Sequence, residues 1–184
     1  MRKLLSSFFV MITIFAFAQE KLNLVSGNFN FLKDTEVVNL VFNFENVRFM
    51  NEDFTEMQYL ERRRKEVVEN PKKGLEEWKE WSGKWEYYKN EVYLETFIKN
   101  FNKYSKKLKL QKNTNSKYTL LIEPKWINPG WYAFMIMNPS IISVNMKFVE
   151  TNDFSNVALE IEANKIMGDN ASNEKENLME YNRI

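Results

Sequence analysis

KYTLLIEPKWINPGWYAFMIMNPSIISVNMKFVETNDFSNVALEIEANK, residues 117 to 165, decides the fold. It reads as three or four β-strand patterns separated by short, turn-rich breaks. Ile142, Val144, Met146 and Phe148 alternate with Ser143, Asn145 and Lys147, which sets an apolar row against a core and a polar row in water. Val157, Leu159, Ile161 and Ala163 repeat the pattern against Glu160, Glu162 and Asn164. Alternation of this kind belongs to an antiparallel sheet with one wet face, because a sheet covered on both sides shows continuous apolar runs. The other face then needs a helical cover.

Outward from this stretch, the chain supplies one more strand and the cover. Val38, Leu40, Phe42 and Phe44 alternate with Asn39 and Asn43, so Val37 to Phe44 reads as a strand of the same sheet, and Leu22, Leu24 and Val25 suggest a short entry strand before Gly27. From Asn51 the spacing turns helical. Thr55 and Gln58 form a candidate capping box, Met57, Leu60, Arg64, Val67 and Val68 mark a stripe, and Asn70-Pro71 ends the helix. Its RRRK run, Arg62 to Lys65, has Glu61 and Glu66 as neighbours and reads as a solvated face. Leu75, Trp78, Trp81, Trp85, Tyr88 and Val92 are spaced by three or four. Leu94, Phe97, Ile98, Phe101 and Tyr104 continue on a shifted face, and Ser82-Gly83 predicts a kink with Ser82 capping a new helix. Leu108 and Leu110 stand as a short strand or loop among lysines, Pro124 predicts a sheet edge, and Asn128-Pro129-Gly130 predicts a tight turn. Gly168 to Asn173 reads as a loop, and Glu174 to Ile184 as the opening of a last helix capped by Asn173. The expected fold is α+β: an antiparallel, alternatively mixed, twisted sheet of about five strands with two or three helices packed on one face.

The first 18 residues have a different character. Arg2 and Lys3 precede an apolar run of about 14 residues, Leu4 to Phe17, and Ala16-Phe17-Ala18 offers a small-x-small site before Gln19. The run falls short of the roughly 20 residues a membrane-spanning helix requires. Residues 1–18 therefore read as a secretory signal peptide and 19–184 as one α+β domain, with no stable membrane span once the signal is cleaved. Its location is then the periplasm or the extracellular space. Loss of Arg2 and Lys3 leaves 24 basic against 25 acidic residues. Near-neutrality argues against a nucleic-acid partner, which demands a concentrated basic surface.

The chain has no cysteine and no histidine. Disulfides, Ser-His-Asp triads, Cys-His pairs and thiolate zinc sites are excluded on that ground, and the acids lack calcium-loop spacing, so no metal and no cofactor is expected. Carboxylate chemistry of the glycosidase type would have to use acids such as Glu123, Glu150 and Asp153 near strand ends. Among 25 acidic residues a few at strand ends are expected by chance, and the chain reads as a non-enzyme.

Two aromatic groups are candidates for binding. Trp126, Trp131, Tyr132 and Phe134 flank the Asn128-Pro129-Gly130 turn, where apolar rings at an exposed tip suit a contact with an envelope protein, a lipid surface or a glycan, unless they fold back on the helices. Trp78, Trp81 and Trp85 are either core or a stacking platform for a sugar or other small ligand held between sheet and helices.

The order EPKWINPG, NPSIISVNMKFVETN and VALEIE, with the earlier VVNLVFNFENVRF and WKEWSGKWEYYKNEVYLETFIKNFN, resembles a set of secreted proteins of Bacteroidetes-type Gram-negative bacteria that have no assigned activity. The resemblance spans roughly residues 27 to 184 and implies an α+β domain with a curved antiparallel sheet under helices. In relatives of this kind the last helix would be longer, so a truncated C-terminus is expected here. The function expected is that of an exported envelope protein binding a protein or glycan partner through the aromatic hairpin or an open sheet edge, with ligand binding on the helix tryptophans as the alternative.

Overall fold

The structure is a computed structural model and describes residues 22–133, 136–168 and 180–183. The expected signal peptide, Phe134 and the Asn173 cap lie outside the described residues. No helix among those described is long and apolar enough to cross a membrane.

The strands are β1 (Leu22–Gly27), β2 (Val37–Phe42), β3 (Arg48–Phe49), β4 (Phe54–Thr55), β5 (Lys109–Gln111), β6 (Tyr118–Asn128), β7 (Trp131–Ala133), β8 (Ile136–Asn138), β9 (Ile141–Glu150) and β10 (Asp153–Met167). The helices are α1 (Glu56–Val68), α2 (Leu75–Tyr87), α3 (Tyr93–Tyr104) and the short α4 (Glu180–Arg183). Eight strands form one mixed sheet in the order β1-β10-β9-β6-β2-β5, with β3 beside the far end of β6 and β4 beyond it. β7 and β8 form a separate hairpin. The α+β class and the mixed alternative hold, and the expected number of about five strands is corrected to eight. β6, β9, β10 and β1 pair antiparallel, whereas β2 runs parallel to both β5 and β6. Parallel neighbours cannot be joined by a hairpin, so the whole helical segment from α1 to α3 serves as the crossover between β2 and β5.

β6 corrects a second expectation. Pro124 was placed at a sheet edge, yet β6 continues through it as a central strand between β2 and β9. The backbone explains the tolerance. Ile122 O accepts from Asn43 N just past the end of β2, so by alternation Pro124 faces the same side, where β2 has stopped and β3 has not begun. β3 takes over at Trp126 and Ile127, after a bulge. The donor that proline lacks falls in the gap.

The apolar sheet face carries two cores. One joins Val38, Leu40, Leu110, Leu120, Ile122, Phe148 and Leu159 to Leu94, with Phe97, Ile98 and Phe101 of α3 packed against it. The other joins Val47, Phe49 and Ile127 to Tyr59, Trp81, Trp85 and Tyr181. α1 presents Tyr59 and Val67 to this second core, while Met57 is exposed, so the buried stripe differs from the Met57-based one read above. Its capping box is formed as expected: Gln58 N donates to Thr55 Oγ1 at 3.3 Å and Thr55 N to Gln58 Oε1 at 2.9 Å.

The predicted kink at Ser82-Gly83 is absent. α2 runs unbroken through both, with the Ser82 hydroxyl donating to Lys79 O at 3.2 Å instead of capping a new helix. The break comes later, as a π-helical turn at Tyr88–Val92. Its wider turn rotates the following residues about the axis. The inward face passes from Trp81 and Trp85 to Leu94 and Phe97, which is the shift of face read in the sequence.

The polar face of the sheet is not simply in water. Asn145 is only 7% exposed and its Nδ2 donates to Glu160 Oε1 at 2.8 Å, while Lys147 pairs with Glu123 at 2.7 Å.

Candidate functional site

The apolar rows of the sheet extend further than the helices cover. Val144, Met146, Ala163 and Ile166 face the same side as the core residues Phe148 and Leu159. Ile166 keeps that side because Lys165, at φ 52°, sits in a bulge that absorbs one residue of the alternation. Opposite them, α3 lays down Tyr93, Thr96, Phe97, Asn100, Phe101 and Tyr104 at helical spacing. Between the two surfaces lies an open groove of about 810 Å³, within the range of small-molecule sites.

Its floor is Phe42, Ile122, Pro124, Val144 and Met146, and Tyr88, Tyr93 and Tyr181 line it beside the start of α3. Tyr88 and Tyr181 meet at a 42° tilt with ring centroids 4.8 Å apart, and Tyr93 Oη donates to the Tyr181 carbonyl at 2.8 Å. Burial, followed by the neighbouring phenols of Tyr88 and Tyr181, raises the Tyr93 hydroxyl far above its ordinary value, so it stays protonated. No Lys, Arg, Asp or Glu is among the lining residues described. Thr96 and Asn100 are exposed and give the helical lip its hydrogen-bonding groups. Beyond Ala163 and Ile161 the same face continues onto β1, where Leu22 and Leu24 stand opposite them at 60% and 52% exposure.

The residues singled out from the sequence fall elsewhere. Trp78, Trp81 and Trp85 stack on one another along α2, at 5.5 and 5.6 Å between ring centroids. Trp81 and Trp85 are buried, Arg63 lies 5.5 Å over Trp81, and their indole nitrogens donate to Glu180 and Glu56. Trp81 and Trp85 are packed within the protein and Trp78 is half-buried, while the groove described above runs along α3 rather than α2. Trp126 is half-buried and bound through its indole nitrogen to Met50 O at 2.8 Å, which ties it to the β3 turn. Trp131 is 49% exposed, and Tyr132 pairs with Met137 across the β7–β8 hairpin. The hairpin patch therefore divides, one tryptophan serving the fold and one facing out.

Of the three acids near strand ends, Glu150 and Asp153 stand opposite each other at the β9–β10 turn, whereas Glu123 lies apart from them. Glu123 pairs across to Asn145, whereas Glu150 pairs to Tyr118, five residues away along β6. That spacing is about 16 Å at 3.3 Å per residue, well beyond the roughly 5 to 9.5 Å of a glycosidase pair. Asp153 accepts from Ser155 N and Oγ, which hold its carboxyl below its ordinary value as a turn acceptor.

Reasoning from sequence missed the groove, although one signal bore on it. Thr96 and Asn100 interrupt the aromatic stripe of α3 four residues apart, which marks an edge where the helix leaves the core. No family model, curated protein or solved structure matches the chain.

Proposed function

We propose that this chain is an exported, non-enzymatic binding protein of the cell envelope that holds an apolar small molecule in the groove between α3 and the sheet. The observation that carries the reading is the groove itself: about 810 Å³, floored by aliphatic and aromatic side chains, open to solvent and without a charged side chain among the described lining residues. An apolar surface of that extent left uncovered needs an occupant, because exposed apolar area is costly at roughly 25 cal/mol per Å². Export is supported by the leader-like residues 1–18, and the non-enzymatic character by the lack of His and Cys.

The test is titration of the chain from Gln19 onwards with N-phenyl-1-naphthylamine, an uncharged fluorophore. Saturable, blue-shifted emission is expected, lost when the groove is filled from either wall by Val144→Trp or Thr96→Trp with the melting temperature retained. Absence of binding to the unsubstituted protein overturns the reading.

A second reading is favoured by β1 and β7. The outermost strand exposes Leu22, Leu24 and Val25, and Trp131 faces out from the hairpin. Edge strands with exposed apolar residues are templates for pairing with another chain, so an envelope protein docking there is the alternative.

A further inference from the structure

We infer that the occupant of the groove is an amphipathic anion with one aliphatic chain, a fatty-acid-like molecule. Its chain lies along the sheet, and its head group sits at the C-terminal end of α3 beside Lys103, Lys99 and Lys106. This rests on the groove being a ligand site and adds the class of ligand.

The interior decides what the body of the ligand is. With no charged side chain among the described lining residues, a carboxylate placed against them would lose its hydration without gaining a partner from them, at a cost of several kcal/mol. The charge must therefore sit at an open end. One end is lined by the tyrosines Tyr88, Tyr93 and Tyr181. The other is lined by Tyr104 and Ser105, where α3 stops.

That end is basic. The Lys103 ammonium lies 5.2 Å from the centre of the Tyr104 ring, which lines the groove. Lys99 is one turn earlier on the same helix and Lys106 follows its end, and all three are exposed. Among the described residues none of the three lies within 4 Å of a carboxylate, whereas Lys79, Lys84 and Lys89 on the preceding helical segment are each held by a glutamate. Glu95 precedes Lys99 by a turn but does not line the groove. A helix C-terminus would normally repel an anion. Here Lys109 Nζ already donates to Asn102 O at 2.9 Å and Ser105 O at 2.6 Å, so a fixed cation covers the last carbonyls. An apolar trough ending beside ammonium groups that no described carboxylate holds complements a chain with one terminal negative charge.

The experiment is competition against bound N-phenyl-1-naphthylamine by dodecanoate and by 1-dodecanol, which share the chain and differ in charge. It is run on the wild-type protein and on the triple variant Lys99→Gln, Lys103→Gln, Lys106→Gln. Dodecanoate should compete about fivefold to tenfold better than the alcohol, since each exposed charge pair contributes up to about 1 kcal/mol. The preference should shrink in high salt and disappear in the variant, which should still bind the neutral probe. Equal competition by the two compounds, or a preference that survives in the variant, overturns the inference while leaving the groove as an apolar-ligand site. Failure of the wild-type protein to bind the neutral probe overturns both.

Discussion

The indole nitrogen of Trp85 donates to Oε1 of Glu56 at 2.9 Å, linking the most buried tryptophan of α2 to the first residue of α1. Lys89 reaches the same oxygen at 2.7 Å from the π-helical turn. One carboxylate thus fixes three helical segments against each other. Glu56→Ala leaves a buried indole donor and a mostly buried ammonium without their acceptor, and should cost about 2 kcal/mol. Glu56→Gln keeps an acceptor for the indole and should cost less. The urea midpoint at unchanged slope checks both, and a neutral Glu56→Ala would show the contact to be dispensable.

Lys89 and Tyr93 set an alkaline limit to stability. At Lys89 burial lowers the ammonium, but Glu56 and Glu86 outweigh it and the net shift is above the ordinary 10.5. At Tyr93 burial, then Tyr88 and Tyr181, raise the hydroxyl above its ordinary 10.0. Both groups hold their protons more tightly folded than unfolded. Their contribution is complete below pH 10.0, begins to fade as Tyr93 passes its unfolded value, and is lost as pH rises through the folded values. Stability should be level near neutrality and fall in alkali. Tyr93→Phe should cost about 1 kcal/mol at pH 7 and make the alkaline fall shallower. An unchanged pH profile in that variant would contradict this assignment.

Two tryptophans separate the core from the surface. Trp85 is 2% exposed and packs on Phe49, Tyr59 and Trp81, so Trp85→Ala should cost about 3 to 5 kcal/mol. Trp131→Ala, at a half-exposed ring, should stay within about 0.5 kcal/mol. Thermal unfolding of the two variants side by side tests the placement, and comparable losses would refute it.

Gly27 joins β1 to the rest of the sheet at φ 80°, where an added Cβ would meet Ala158 O at 2.1 Å and the backbone at Leu159. Neither neighbour is a side chain able to move aside. Gly27→Ala should detach the edge strand, seen as faster amide exchange at Leu22 to Gly27 with protection kept in β6 and β9. Retained protection in β1 would show that the strand accommodates the methyl group.

Much of this fold is written locally. The alternation of Ile142 to Phe148 and of Leu159 to Ala163 assigns the inward face, Thr55 and Gln58 start α1, and the shift between Trp85 and Leu94 records the turn between α2 and α3. These features depend on residues within a few positions of one another, where backbone period and hydrogen-bonding chemistry act directly. The parallel entry of β2 beside β6 was not legible, because alternation is the same in either strand direction. Pro124 misled for the same reason: whether a missing donor matters depends on where β2 stops and β3 starts.

The candidate site shows the division most clearly. From sequence alone came the near-neutral net charge and His- and Cys-free chemistry of the chain, its aromatic helices and the apolar rows of the sheet. Periodicity says which side chains turn inward but not how much cover they receive. That α3 packs on Phe97 and Phe101 yet leaves Val144, Met146 and Ile166 facing an open groove is decided only in three dimensions. There the length of the strands and the reach of the helices must be matched, and here the sheet is the larger.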